Sequence, residues 1–215
     1  MAVAALRAFA AGAPPALYPC IGPGLLPAVE RLLLSPALRR AWSPRHAGLL
    51  LVAGQIEGAA REAVDRLHDQ LPRPRGTVRW DGRGDPVPAL RDRWRGVLAG
   101  ADEDDRLPDA PPTPWKGRGD HGQGGEGMMG GTPSGRPMAM TGADIRDGLT
   151  LDRYAARVGP FAPMLPPGLE LDLELQGDVI VAAELRAPPF AQPQEAARPA
   201  ACAARLLRLL GLDRG

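Results

Sequence analysis

The stretch that decides the fold is Gly48-Leu-Leu-Leu-Val-Ala-Gly54, followed by Glu57 to Leu71 and then Thr77-Val-Arg-Trp80. The first piece is a continuous apolar run bounded by glycines, which reads as a strand buried on both faces. In the second piece Ala60, Val64, Leu67 and Leu71 recur at helical spacing, with charges elsewhere, so it reads as an amphipathic helix. Pro72 and Pro74 stop it, and the third piece reads as another strand. Strand, helix and strand in this order predict a βαβ unit with parallel strands.

Outward from this unit, Pro23 to Leu34 reads as a short helix with Pro27 in its first turn, ended by Pro36. Pro86 to Leu98 reads as another, with Leu90, Trp94, Val97 and Leu98 on one side. After Gly100 the character changes. Asp102 to Asp105 is an acidic run, residues 108–114 are rich in proline, and residues 117–135 are rich in glycine, with no periodicity until about Leu149. Such a stretch reads as a linker or an arm draped on a partner. Beyond it, Leu169 to Gln176 alternates apolar and polar residues, which predicts a half-buried strand with Leu169, Leu171, Leu173 and Leu175 facing inward. Gly177-Asp178 is a turn signal, and Val179 to Leu185 returns as the second strand of a hairpin. Glu195 to Leu210 reads as a helix whose Leu206, Leu207 and Leu210 supply part of the hairpin's cover. The expected fold class is therefore α/β, with a small parallel-sheet βαβ lobe over residues 1–100, an extended arm over 101–148, and a β-hairpin plus C-terminal helix over 149–215.

Bulk composition narrows the function. The chain has 215 residues, 25 of them Pro and 27 Gly, and aromatics make up only 4%. Thin cores are expected, and small lobes are marginal alone. Net charge is +1 and Lys116 is the single lysine, so the basic footprint of a nucleic-acid binder is missing. The apolar runs fall short of the ~20 residues that span a bilayer. Arg7 sits inside the first apolar run rather than before it, which predicts a mature cytoplasmic start rather than a signal peptide.

Motifs with chemistry are few. Gly117-Arg-Gly-Asp-His-Gly122 and Gly122-Gln-Gly-Gly-Glu-Gly127 match a dinucleotide fingerprint by letter only: the motif needs its glycines between a strand and a helix, whereas here proline-rich chain precedes them and more glycine follows. His46, His68 and His121 show no metal-ligand spacing, and His68, beside Asp69, is expected at the surface or its boundary. Cys20 and Cys202 are too few for the four thiolates of an ordinary iron–sulfur cluster. Neither catalytic, metal nor cofactor-binding residues are expected, and no cofactor. Met128, Met129, Met138 and Met140, adaptable thioethers in a glycine-rich context, are candidate partner contacts together with Leu169, Leu171, Leu173 and Leu175.

Ser43-Pro-Arg-His-Ala-Gly-Leu-Leu-Leu-Val-Ala-Gly54, with Val64-Asp-Arg-Leu-His-Asp-Gln-Leu-Pro-Arg-Pro-Arg75, resembles the terminal iron–sulfur subunit of respiratory complex I. That family shows an SPR-led VAG strand and a helix ending in YDQMPEPR. Its cysteine pair lies upstream and further cysteines follow the next strand. Here Cys20 is alone in the upstream region, and Asp81-Gly-Arg-Gly84 stands where a cysteine is expected. Val158-Gly-Pro-Phe161 and Leu169 to Leu185 are similar to the N-terminal hairpin of complex I's quinone-site subunit and of the NiFe-hydrogenase large subunit. The family's loop histidine is replaced in Phe161-Ala-Pro163. The two resemblances imply a degenerate, non-catalytic structural or assembly subunit of a complex I-like assembly related to membrane-bound hydrogenases. Its partners would be the other subunits, with ion-translocating antiporter-type chains among them. The chain itself would be cytoplasmic, held at the inner membrane through partners without a span of its own. The alternative implied is a redox subunit that shares an iron–sulfur cluster with partner chains through Cys20.

Overall fold

Glycine-bounded apolar strands and proline-stopped helices produce an alternating α/β chain. The computed structural model describes residues 10–100, 153–193 and 199–210. Met128, Met129, Met138, Met140 and the 101–148 arm lie outside the described residues. The described chain carries a four-stranded parallel sheet and a separate three-stranded antiparallel sheet.

The parallel sheet consists of β1 (Ala16–Ile21), β2 (Arg39–Arg40), β3 (Leu49–Ala53) and β4 (Gly76–Trp80), in the order β2-β1-β3-β4. The βαβ unit is as expected: β3 and β4 pair in parallel, Leu49 opposite Gly76 through Ala53 opposite Trp80. Between them runs α2 (Ala59–Gln70). Two further helices are α1 (Leu26–Leu32), with proline in its first turn, and α3 (Val87–Leu98). The strand faces divide the core. Tyr18, Cys20, Leu50 and Val52 join Ala60, Ala63 and Val64 of α2 on one side. Leu17, Ile21, Leu49 and Leu51 join Leu26 and Val29 of α1 and Leu90 of α3 on the other. Every residue of β1 and β3 is buried, as a strand with helices on both faces must be.

Two strands of this sheet escape a reading by pattern. β1 contains Pro19, which lacks a ladder N–H and is disfavoured in a central strand. It is tolerated because β2 pairs only with Ala16 and Leu17, so at Pro19 the strand has β3 as its one partner. β2 itself is two arginines held by backbone pairing. The expectation for His68 is also corrected: it is fully buried. Positions 60, 64 and 68 stack one turn apart on the inward side of α2, so the imidazole belongs to the buried stripe rather than to the boundary. Arg75 closes the carboxyl end of this helix. Its Nη1 donates to the carbonyls of His68, Asp69 and Leu71 at 3.1, 3.2 and 3.3 Å, placing positive charge where the helix dipole favours it.

The three-stranded sheet consists of β5 (Arg153–Val158), β6 (Glu170–Gln176) and β7 (Val179–Ala187), with β6 in the centre. The hairpin of β6 and β7 turns at Gly177-Asp178, where Gly177 takes a φ of +63°. β5 is an addition to the expected hairpin. Its Arg-Tyr-Ala-Ala-Arg-Val run lacks alternation, so only its pairing with β6 defines it. Cα partners in this sheet put Ala156, Val158, Leu171, Leu173, Leu175, Ala183 and Leu185 on one face. The other face is charged: Arg157 Nε meets Asp172 Oδ1 at 2.7 Å, and Arg186 reaches Glu170 at 3.4 Å and Asp172 at 3.6 Å. The Arg157 hydrogen bond holds the exposed Asp172 carboxyl below its ordinary value.

The last described element is α4 (Pro199–Leu209). In it Leu206, Leu207 and Leu210 are 58%, 46% and 66% exposed.

Candidate functional site

Strand order in the parallel sheet reverses at β1. From it the chain moves outward to β2, then back across to β3 on the other side. In open α/β sheets, ligands bind outside the carboxyl ends of the strands at such a switch point. Here that region is formed by the turn after β1, Gly22-Pro-Gly-Leu25, and by Gly54 to Gly58 after β3. The two come into direct backbone contact. Gly22 N–H donates to the Ala53 carbonyl at 2.8 Å, and a Cβ at Gly22 would lie 2.9 Å from that oxygen and 3.0 Å from the Gln55 carbonyl. Only glycine fits there.

The chain's own downstream residues occupy this turn. Gly24 N–H donates to the Ala191 carbonyl at 2.9 Å. The Gln192 side chain then bridges the turn: its Oε1 accepts from Leu26 N–H at 3.0 Å, and its Nε2 donates to the Gly22 carbonyl at 3.2 Å. The carboxamide thus satisfies one of the orphan N–H groups that open α1. Phe190 anchors the strap. Its N–H donates to the Pro167 carbonyl at 2.8 Å, and its ring lies 6.3 Å from that of Phe161, tilted by 51°. Phe161 is buried in the same cluster as Tyr18, whose hydroxyl donates to the Phe161 carbonyl at 2.8 Å. Beside these residues a cavity of about 30 Å³ remains, lined by Ile21, Leu26, Glu30, Arg40 and Phe161 among others, room for about one water. Residues 159–169 and 188–193 therefore belong with the parallel sheet.

Replacing Gln192 with alanine removes both bonds across the Gly22–Leu26 turn. Hydrogen exchange at the Leu26 and Gly24 amides is expected to quicken by about tenfold or more, in line with ~1–3 kcal/mol for buried hydrogen bonds. Unchanged protection at both amides would show that the carboxamide does not hold the strap.

Cys20 sits at the penultimate position of β1, near the turn but turned away from solvent. It is fully buried on the α2 face, and burial pushes its thiol far above the ordinary value. A thiol so placed offers no thiolate. Asp81 to Gly84, at the carboxyl end of β4, form a turn in which Asp81 Oδ1 accepts from Arg83 N–H at 2.9 Å. Among the described residues no three His, Cys, Asp or Glu side chains gather as a metal site.

The second candidate is the apolar face of the three-stranded sheet. Leu171, Leu173 and Leu175 of β6 are half-buried, while Leu185 and Ile180 of β7 are 64% and 55% exposed. Leu169 does not join them. It lies one residue before β6, its N–H bonded to the Pro166 carbonyl in a turn. What reading the sequence missed is the strap: a glutamine in a Pro-rich run carries no local signal of the turn it fastens.

The fold and these two features define an α/β protein with a closed switch point and an open apolar sheet face. No known family, curated protein or solved structure matches the chain.

Proposed function

We propose that this chain is a non-catalytic structural subunit of a complex I-like, membrane-associated assembly. The observation that carries this reading is the strap at the switch point. Where a cofactor-bearing α/β subunit needs open space at its strand ends, this chain places Ala191 and Gln192. The resemblance of Ser43 to Trp80 to the terminal iron–sulfur subunit supports the choice of assembly. The parallel strand pair and crossover helix lie over that stretch in the order the resemblance implies. The antiparallel hairpin likewise lies over the stretch similar to the quinone-site and hydrogenase large subunits.

In this role the parallel lobe stands in the place of the cluster subunit without its electron carrier. The leucine face of β6 and β7 docks on a partner subunit, because exposed apolar patches of this kind mark interfaces. Among the described residues no helix is long and apolar enough to cross a membrane. In this reading partner subunits hold the chain at the cytoplasmic side. The rival is a redox subunit that shares a cluster through Cys20, a role its burial opposes.

The test is iron and acid-labile sulfide analysis of the complex purified through this chain, parent against Cys20→Ala. The scaffold reading expects equal iron and sulfide in the two complexes. Loss of one cluster's iron and sulfide in the Cys20→Ala complex would overturn it in favour of the redox reading.

A further inference from the structure

We infer that α4 is a lipid-surface helix, which gives this chain its own contact with an anionic membrane. The inference deepens the membrane association proposed above and rests on a different observation. Leu206, Leu207 and Leu210 stand 58%, 46% and 66% exposed. With the exposed Cys202 and Ala203 they fall within an arc of about 140° at 3.6 residues per turn. Arg205 and Arg208 occupy positions on the other side of the helix axis, and no Asp or Glu lies between Pro199 and Leu210.

That combination selects the occupant. The whole chain balances 26 basic against 25 acidic residues, yet this helix carries cations only. An apolar arc backed by arginines suits a surface that is apolar below and anionic above, which is the headgroup boundary of a bilayer containing acidic phospholipid. The helix, about 16 Å long, is too short to span and lies along the surface.

The experiment is co-sedimentation of the purified full chain with vesicles of phosphatidylcholine alone and of phosphatidylcholine mixed with phosphatidylglycerol. Binding to the mixed vesicles is expected to exceed that to the neutral ones by about tenfold, and to fall with added salt. The pair Leu206→Ser and Leu210→Ser is expected to lower it by about tenfold or more, since two leucines no longer enter the apolar layer. Both positions are exposed, so circular dichroism of that variant should match the parent. Arg205→Gln with Arg208→Gln is expected to abolish the preference for anionic vesicles. Failure of the parent chain to sediment with the mixed vesicles overturns the inference, as does equal sedimentation of the serine variant. If vesicles are ignored while the serine variant no longer co-purifies with other proteins, α4 docks on protein instead. Loss of vesicle binding with partner co-purification intact would leave the scaffold reading standing.

Discussion

Raising the pH from about 8 to about 11 is expected to remove roughly 5 kcal/mol of stability from the parallel lobe. The cause is two acids on the same face of β1. Burial raises the Cys20 thiol far above its ordinary value, and burial together with the neighbouring Cys20 raises the Tyr18 hydroxyl. The folded lobe keeps both protons, while the unfolded chain gives them up from about pH 8.5 for Cys and about pH 10 for Tyr. Above each of those values the unfolded state therefore binds fewer protons, and stability falls as pH rises. It is fully present below pH ~8.5 and declines by about 1.4 kcal/mol per pH unit per group thereafter. Urea midpoints measured across this range give the slope. In a Cys20→Ala chain the decline should begin only near pH ~10, where Tyr18 alone is left to titrate. A flat profile from about pH 8 to 11 in the parent would mean that neither group is shielded as described.

The second large effect is on assembly. An aspartate in place of Leu173 puts a charge at the centre of the apolar face of β6, opposite Ala156 and Ala183. Carrying an unpaired carboxylate into a dry interface costs several kcal/mol, so co-purification with partner subunits is expected to fall by at least about tenfold. The parallel lobe, with its own core, keeps its urea midpoint. Leu185→Asp provides the control for folding, because Leu185 lies on the same face but is 64% exposed and its loss does not unpack the sheet. If both aspartate variants co-purify at the parent's yield, the sheet face is not the docking surface.

The parts of this fold legible in the sequence are those where one pattern dominates locally. Leu49 to Ala53 is apolar without interruption, and Ala59 to Gln70 repeats at helical spacing and meets Pro72, so β3, α2 and β4 follow directly. Leu171, Leu173 and Leu175 alternate with acids, so β6 follows as well. β1 is hidden by Pro19, and β2 by having only two residues. Those elements exist because buried neighbours recruit them, a tertiary effect that composition does not carry. His68 misleads for a similar reason: residue type suggests a boundary position, while its place in the helical repeat buries it. The apolar face of β6 is legible as a leucine stripe. The strap was not, because Gln192 bonds to a glycine turn 170 residues away in the chain.

A structural subunit of a complex I-like assembly, as proposed for this chain, should be isolated together with its neighbours. Affinity purification of the tagged chain from its own cells, followed by mass spectrometry of what remains bound, is the decisive measurement. Stoichiometric recovery of subunits similar to the complex I quinone-site and antiporter-type membrane chains is expected, in a particle much larger than the 22.7 kDa chain. Recovery of the chain as a free monomer, or bound only to proteins unrelated to that machinery, would overturn the proposal.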